Sequence, residues 1–149
     1  MRSSWWSKGL EPLRRRLFAG RVLAFAVAAP WRLRILGLNR LPRWLEPRRR
    51  RSLPPTPEEV TALIGRIDDL LIAGRPLVRS GCLTRGLTLY RFLRREGAAV
   101  ILRFGVGTIH GEFAAHCWIT LGEEPLAEIH DPRPLFAETW RIGPMEAAP

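Results

Sequence analysis

The stretch Leu53-Pro54-Pro55-Thr56-Pro57 constrains this chain more than any other feature, because consecutive prolines cannot continue a helix. The arginines from 48 to 51 stand directly before it, and adjacent like charges repel. A boundary therefore belongs here, dividing residues 1–52 from residues 53–149. The 149 residues, 46% of them hydrophobic, suit one domain with a modest single core and leave little room for a second independent one. Residues 1–52 read as a basic arm and residues 53–149 as the body of the domain.

In the arm, apolar residues recur at helical spacing from Leu10 to Leu45. Leu13, Leu17, Val22, Phe25, Leu33, Leu36 and Leu41 are interleaved with arginines. This predicts two or three short, basic, amphipathic helices broken near Pro30 and Pro42. Such an arm suits support packed on the core, or a surface for an acidic peptide, a partner protein or a membrane face. The apolar run from Val22 to Ala29, behind Arg14, Arg15, Arg16 and Arg21, superficially resembles a secretion signal. It is far shorter than the roughly 20 apolar residues that span a bilayer. Pro30 after Ala28-Ala29 also suits signal cleavage poorly, so export is not expected.

After the break, Thr56 reads as an N-cap, with Pro57 at the first helical position and Glu58 and Glu59 in the first turn, where the helix dipole favours negative charge. This helix should run to about Ala73 and stop at Gly74. A loop over residues 75–81 leads into a second helix from Cys82 to about Glu96, closed by Gly97. The period then changes. Residues 100–106 and 112–121 are strand-like, Gly122-Glu123-Glu124-Pro125 is a turn, and residues 126–129 should return as the partner strand of a hairpin. Residues 140–142 add a short last strand. Helices followed by a small antiparallel sheet make an α+β class.

The residues that carry chemistry fall on these elements. Cys82 opens a helix, where free backbone amides and the positive end of the dipole stabilise a thiolate. Its own amide can also serve as an oxyanion donor. Cys82, Gly86, Leu89 and Leu93 share one helix face, so the cysteine faces the sheet. Alternation from Glu112 sets Ala114, His116, Trp118 and Thr120 on one side of a strand and Phe113, Ala115, Cys117 and Ile119 on the other. On this reading Cys117 is a small buried hydrophobe, while His116 is free to meet the helix that starts at Cys82. Glu128, across the turn, is positioned to hold the imidazole, and Asp131 is the reserve for that role. His110 and His130 fall in loops and read as solvent-exposed.

Composition narrows the function classes. Two cysteines, Cys82 and Cys117, cannot build a disulfide framework and lack the paired spacing of a zinc or redox site, so a reducing, cytoplasmic setting is expected. The net charge of +10 attracts acidic partners. Apart from the block at 48–51 the positive residues are dispersed, and no zinc finger or ribonucleoprotein signature is present, so no specific nucleic-acid partner is expected. Phosphate-binding motifs are absent, and neither a metal nor an organic cofactor is expected.

Several motifs occur together in order. Cys82-Leu83-Thr84-Arg85-Gly86-Leu87-Thr88-Leu89 is followed by Leu93-Arg94-Arg95-Glu96-Gly97, then Leu102-Arg103-Phe104-Gly105-Val106, then Ala115-His116-Cys117-Trp118-Ile119. Over roughly residues 60–145 this pattern resembles the leader-peptidase family of lasso-peptide biosynthesis. That family resembles transglutaminases and papain-like peptidases in fold and carries a Cys-His-acid triad. The resemblance implies Cys82 as nucleophile, His116 as base, and Glu128 where aspartate is usual. It also implies the stand-alone form, because the Arg-rich helical arm is unlike the strand-rich leader-recognition domain fused to some relatives. The implied partners are a precursor peptide with its leader, a separate recognition protein, and an asparagine-synthetase-like cyclase that closes a macrolactam on the freed amine.

Overall fold

The computed structural model describes residues 5–144, and for residues 5–10 and Leu38 the backbone alone. Residues 1–4 of the arm and 145–149 of the domain lie outside the described residues. Four helices precede a four-stranded sheet: α1 (Trp5–Leu36), a 3-10 turn (Leu38–Arg40), α2 (Leu41–Leu45), α3 (Pro57–Ala73), α4 (Cys82–Arg95), β1 (Val100–Ile109), β2 (Glu112–Leu121), β3 (Glu124–Pro125) and β4 (Phe136–Ile142). The strands are antiparallel in the order β3-β2-β1-β4, so the fold is α+β as expected.

The expected punctuation at Thr56 is present in full. The Thr56 hydroxyl accepts from the Glu59 amide at 3.3 Å, and the Glu59 carboxylate accepts from the Thr56 amide at 3.0 Å, a reciprocal capping box. α3 ends at Ala73 with Gly74 behind it, and α4 ends at Arg95.

The arm differs from the expectation of short broken helices. α1 runs unbroken through Pro12 and Pro30, and the interruption falls at Gly37, whose amide donates to the Leu33 carbonyl at 3.0 Å. A proline inside a helix forfeits one backbone bond, and here the loss is offset by a face held in place by packing: Val22, Ala26 and Ala29 are all fully buried. Pro42 does not break a helix either. It lies in the first turn of α2, where no amide is needed.

One core joins all layers. Val22 and Ala29 of α1, Leu41 and Leu45 of α2, Val60, Ile64 and Ile67 of α3, and Leu87, Leu89 and Leu93 of α4 pack with Val100, Leu102, Cys117, Ile119 and Ile142 of the sheet. Phe25 stacks on Trp44 at 4.8 Å between ring centres, and Phe18 meets Phe92 edge-on at 5.6 Å. Arg91 donates to the carbonyls of Trp44 and Leu45 at 3.2 and 3.0 Å, while the Tyr90 hydroxyl binds Glu46, so the end of α2 is tied to α4.

The hairpin is shorter than expected. β3 comprises only Glu124–Pro125, paired with Leu121 and Thr120, and residues 126–129 form a loop. Pro125 has no amide to extend the ladder, and Ala127, at φ +54°, turns the chain away after one further bond from the Leu126 amide to Ile119. The last strand is longer than expected, Phe136–Ile142, and pairs along β1 with a bulge at Phe104/Gly105. Most of the outer edge of β2 is therefore left open on the side where the loop over 126–129 passes.

Candidate active site

Cys82 is the first residue of α4. Gly81 precedes it as the N-cap, and no side chain caps this end. The sulfur is thus presented at the positive end of a fourteen-residue helix.

How α4 meets the sheet follows from Gly86. A Cβ there would stand 2.9 Å from the Cys117 Sγ and 3.1 Å from Leu102 Cδ1, so only glycine allows this approach. The face of β2 against α4 is consequently the one that carries Cys117 and Ile119. The strand alternates as expected, and the side that packs along α4 is that of Cys117, while His116 meets the helix only at its start, beside Cys82. The His116 face is occupied instead by a polar cluster and aromatic rings. Arg103 donates to Thr120 Oγ1 at 3.0 Å and pairs with Glu123 and Glu138, and Trp118 is buried beside Phe136. His116 lies at the open edge of β2, its ring 6.0 Å from Trp118 and 5.2 Å from Phe136, and from that edge it lines the same cleft as Cys82.

The loop over 126–129 closes the arrangement. His116 Nε2 stands 3.1 Å from Glu128 Oε2, and the Glu128 side chain is only 14% exposed. Its other oxygen accepts from Arg85 Nη1 at 3.3 Å. Arg85 also makes a bidentate pair with Asp68 of α3, at 2.8 and 2.9 Å, and donates to the Ala127 carbonyl at 3.1 Å. The Asp68 hydrogen bond holds the guanidinium firmly protonated. Helices α3 and α4 thereby fix the loop that carries the acid. With Nε2 engaged by Glu128, Nδ1 is the ring nitrogen left for the thiol.

Of the two carboxylates considered for the third position, Glu128 is the one at the imidazole. Asp131 is exposed, its carboxylate taken by Arg133 at 2.6 Å, and it does not line the cleft. His110 and His130 are exposed, as expected.

Cys117 has a larger part than a buried hydrophobe. Its Sγ stands 3.0 Å from the Cys82 carbonyl. The neighbouring Cys117 thiol, with the Cys117 backbone and the nearby His116 imidazole, brings the Cys82 thiol down to about 5, against the opposing effect of burial. Cys117 is driven the opposite way, far up, by the same contact and by burial, so it stays a protonated donor.

The sequence pattern gives no role to Arg85 or Asp68, and to Cys117 only that of a buried hydrophobe. Arg85 was within reach of sequence reasoning: three residues after Cys82 on a helix, it projects beside the thiol. Asp68 could not be found that way, since it joins the site only through the packing of α3 on α4. Among the described residues no group of three or more His, Cys, Asp or Glu is gathered to hold a metal ion.

The cleft, about 500 Å³, opens between α3, the loop over 75–81, the start of α4 and the loop over 126–129. Leu71, Ile72 and Val78 give it an apolar wall facing Cys82 and His116. A stabilised thiolate, an imidazole oriented by a carboxylate, and an uncapped helix end beside an apolar cleft are the parts of an acyl-transfer site. A sequence profile of the transglutaminase-like superfamily matches residues 23–141. The chain belongs to the transglutaminase-like superfamily. No curated protein and no solved structure matches it. Transglutaminase-like proteins are in general cysteine-peptidase-like enzymes or acyltransferases, in keeping with these parts. The matched span takes in part of α1 and all of α2 as well as the cleft.

Proposed function

We propose that this transglutaminase-like protein is a leader peptidase of lasso-peptide biosynthesis, a cysteine endopeptidase that removes the leader from a ribosomally made precursor in the cytoplasm. The observation that carries the reading is the convergence of Cys82, His116 and Glu128 on one cleft, with His116 Nε2 3.1 Å from Glu128. The order and spacing of the Cys-Leu-x-Arg and Ala-His-x-Trp motifs supports the choice of substrate.

In this mechanism the Cys82 thiolate attacks the carbonyl carbon at the leader–core junction, and the developing oxyanion is met by amides at the start of α4. His116 gives a proton to the departing core amine, the C–N bond breaks, and the leader remains as a thioester on Cys82. His116 then takes a proton from water, whose oxygen attacks the thioester and frees the leader carboxylate and the thiolate. Glu128 orients the ring and stabilises its protonated form throughout, and no cofactor enters. A separate recognition protein presents the leader, and an asparagine-synthetase-like cyclase uses the freed amine.

The test is to incubate a candidate precursor and recognition protein with this chain or its Cys82→Ala variant, followed by mass spectrometry. Release of a core with a free N-terminal amine by the wild type alone is the expected result. Leader joined to an added amine would make the protein an acyltransferase. Core production that survives Cys82→Ala would leave it a peptide-binding scaffold.

A further inference from the structure

Helix α1 has two apolar faces, and the core uses only one. Val22, Ala26 and Ala29 are fully buried. Leu13 and Leu17, each 52% exposed, lie away from them with Val27 at 41%, Trp31 at 65% and Ile35 at 78%, and exposed Gly20 and Ala24 fill the positions between. Successive members of this second set are three or four residues apart. At about 100° per residue they fall within an arc of about 80°, roughly half a turn from the buried face. The stripe over residues 13–35 is about 33 Å long.

Exposed arginines border the stripe on both sides, Arg14, Arg21 and Arg32 along one margin and Arg16 and Arg34 along the other. The only acid on α1, Glu11, points away from it. An uncovered apolar strip of this length marks an interaction surface, and its borders select the occupant. A second copy would bring arginine margins together in a chain of net charge +10. Among the described residues no helix is long and apolar enough to cross a membrane, so α1 is suited to lie on a bilayer and not to span it. An anionic bilayer surface meets every requirement. It is flat along the whole ridge, it accepts Leu, Val and Ile below the headgroups, and it seats the amphipathic ring of Trp31 at the interface. It also places phosphates where arginine stems, running along apolar surface, deliver their charged ends.

We infer that α1 is a peripheral membrane anchor, laying its outward stripe over residues 13–35 into an anionic bilayer with the bordering arginines on lipid phosphates. The inference stands independently of the peptidase reading, because neither the stripe nor its arginines line the cleft.

The full chain is to be sedimented with vesicles of phosphatidylcholine alone and of phosphatidylcholine mixed with phosphatidylglycerol. Binding to the mixed vesicles is expected, weakened at least about tenfold by removing the anionic lipid or by adding salt. The double variant Trp31→Glu/Ile35→Glu, altered only at exposed positions and checked for an unchanged far-UV spectrum, should also lose at least about tenfold. Replacing Arg14, Arg16 and Arg21 with Gln should weaken binding in the same sense. Failure to sediment with mixed vesicles overturns the inference, as does sedimentation that Trp31→Glu/Ile35→Glu leaves intact, which would be diffuse charge attraction. A dimer in solution that this double variant dissociates would assign the stripe to a second copy. Preferential capture of a synthetic helical peptide, with leucines at heptad spacing and glutamate margins, over the vesicles would assign it to a partner helix. Either of these also overturns the inference.

Discussion

The Sγ of Cys117 stands 3.0 Å from the carbonyl oxygen of Cys82, which ties a buried thiol on the sheet to the residue that opens α4. The two sulfurs divide the work of ionisation, Cys82 easily deprotonated and Cys117 held protonated.

Replacing Cys117 with Ala removes the strongest of the contacts that lower the Cys82 thiol. Thiolate absorbance at 240 nm should rise in a single step near pH 5 in the wild type, and the midpoint should move up by at least about one pH unit in Cys117→Ala. An unmoved midpoint would assign the effect to His116 and the helix end alone. The sign for stability follows from the same shift. The folded thiol ionises near 5 and the unfolded one near 9, so ionisation favours the folded state most fully above about pH 9, and the gain is lost as pH falls toward 5. The difference in denaturant midpoint between wild type and Cys82→Ser should narrow over that window.

Glu128→Gln keeps a hydrogen-bond partner for His116 but removes the charge that stabilises the protonated ring. Precursor cleavage should fall by about 10²- to 10⁴-fold with folding intact. Asp131→Asn, which disturbs only the exposed pair with Arg133, should leave cleavage unchanged.

Arg85→Ala should also lower cleavage, by up to about 100-fold, because the loop carrying Glu128 loses its tie to Asp68 and α4. Arg85→Lys should restore little of it, since an ammonium cannot span Asp68, Glu128 and the Ala127 carbonyl as the planar guanidinium does. Single-turnover cleavage assays decide both points.

Gly86→Ala sets helix propensity against packing. Alanine favours an exposed helix by about 1 kcal/mol, but here its methyl would press on Cys117 Sγ and Leu102. A net destabilisation of about 1–3 kcal/mol in urea unfolding is expected, with a fall in cleavage as α4 is pushed from the sheet.

Thr56→Ala removes one half of the capping box at the start of α3. Stability should fall by about 1 kcal/mol. Because Thr56 lies far along α3 from Asp68, cleavage per folded molecule should hold.

The amino-acid sequence alone determined the local features. The proline break, the cap at Thr56, both helices after it, the two long strands and the position of Cys82 at a helix start are legible because each depends on a few adjacent residues. The order of its motifs also pointed to the superfamily whose profile spans residues 23–141. Only the tertiary structure decided which face of β2 meets α4, because alternation sorts residues into two sets without saying which set is covered. The unbroken α1 was hidden for a related reason: the cost of Pro30 is local, whereas the packing of Val22, Ala26 and Ala29 that offsets it comes from distant parts of the chain. Arg85, Asp68 and Glu128 are likewise joined by packing, since a guanidinium held by carboxylates from a helix seventeen residues earlier and a loop forty-three residues later leaves no periodic trace.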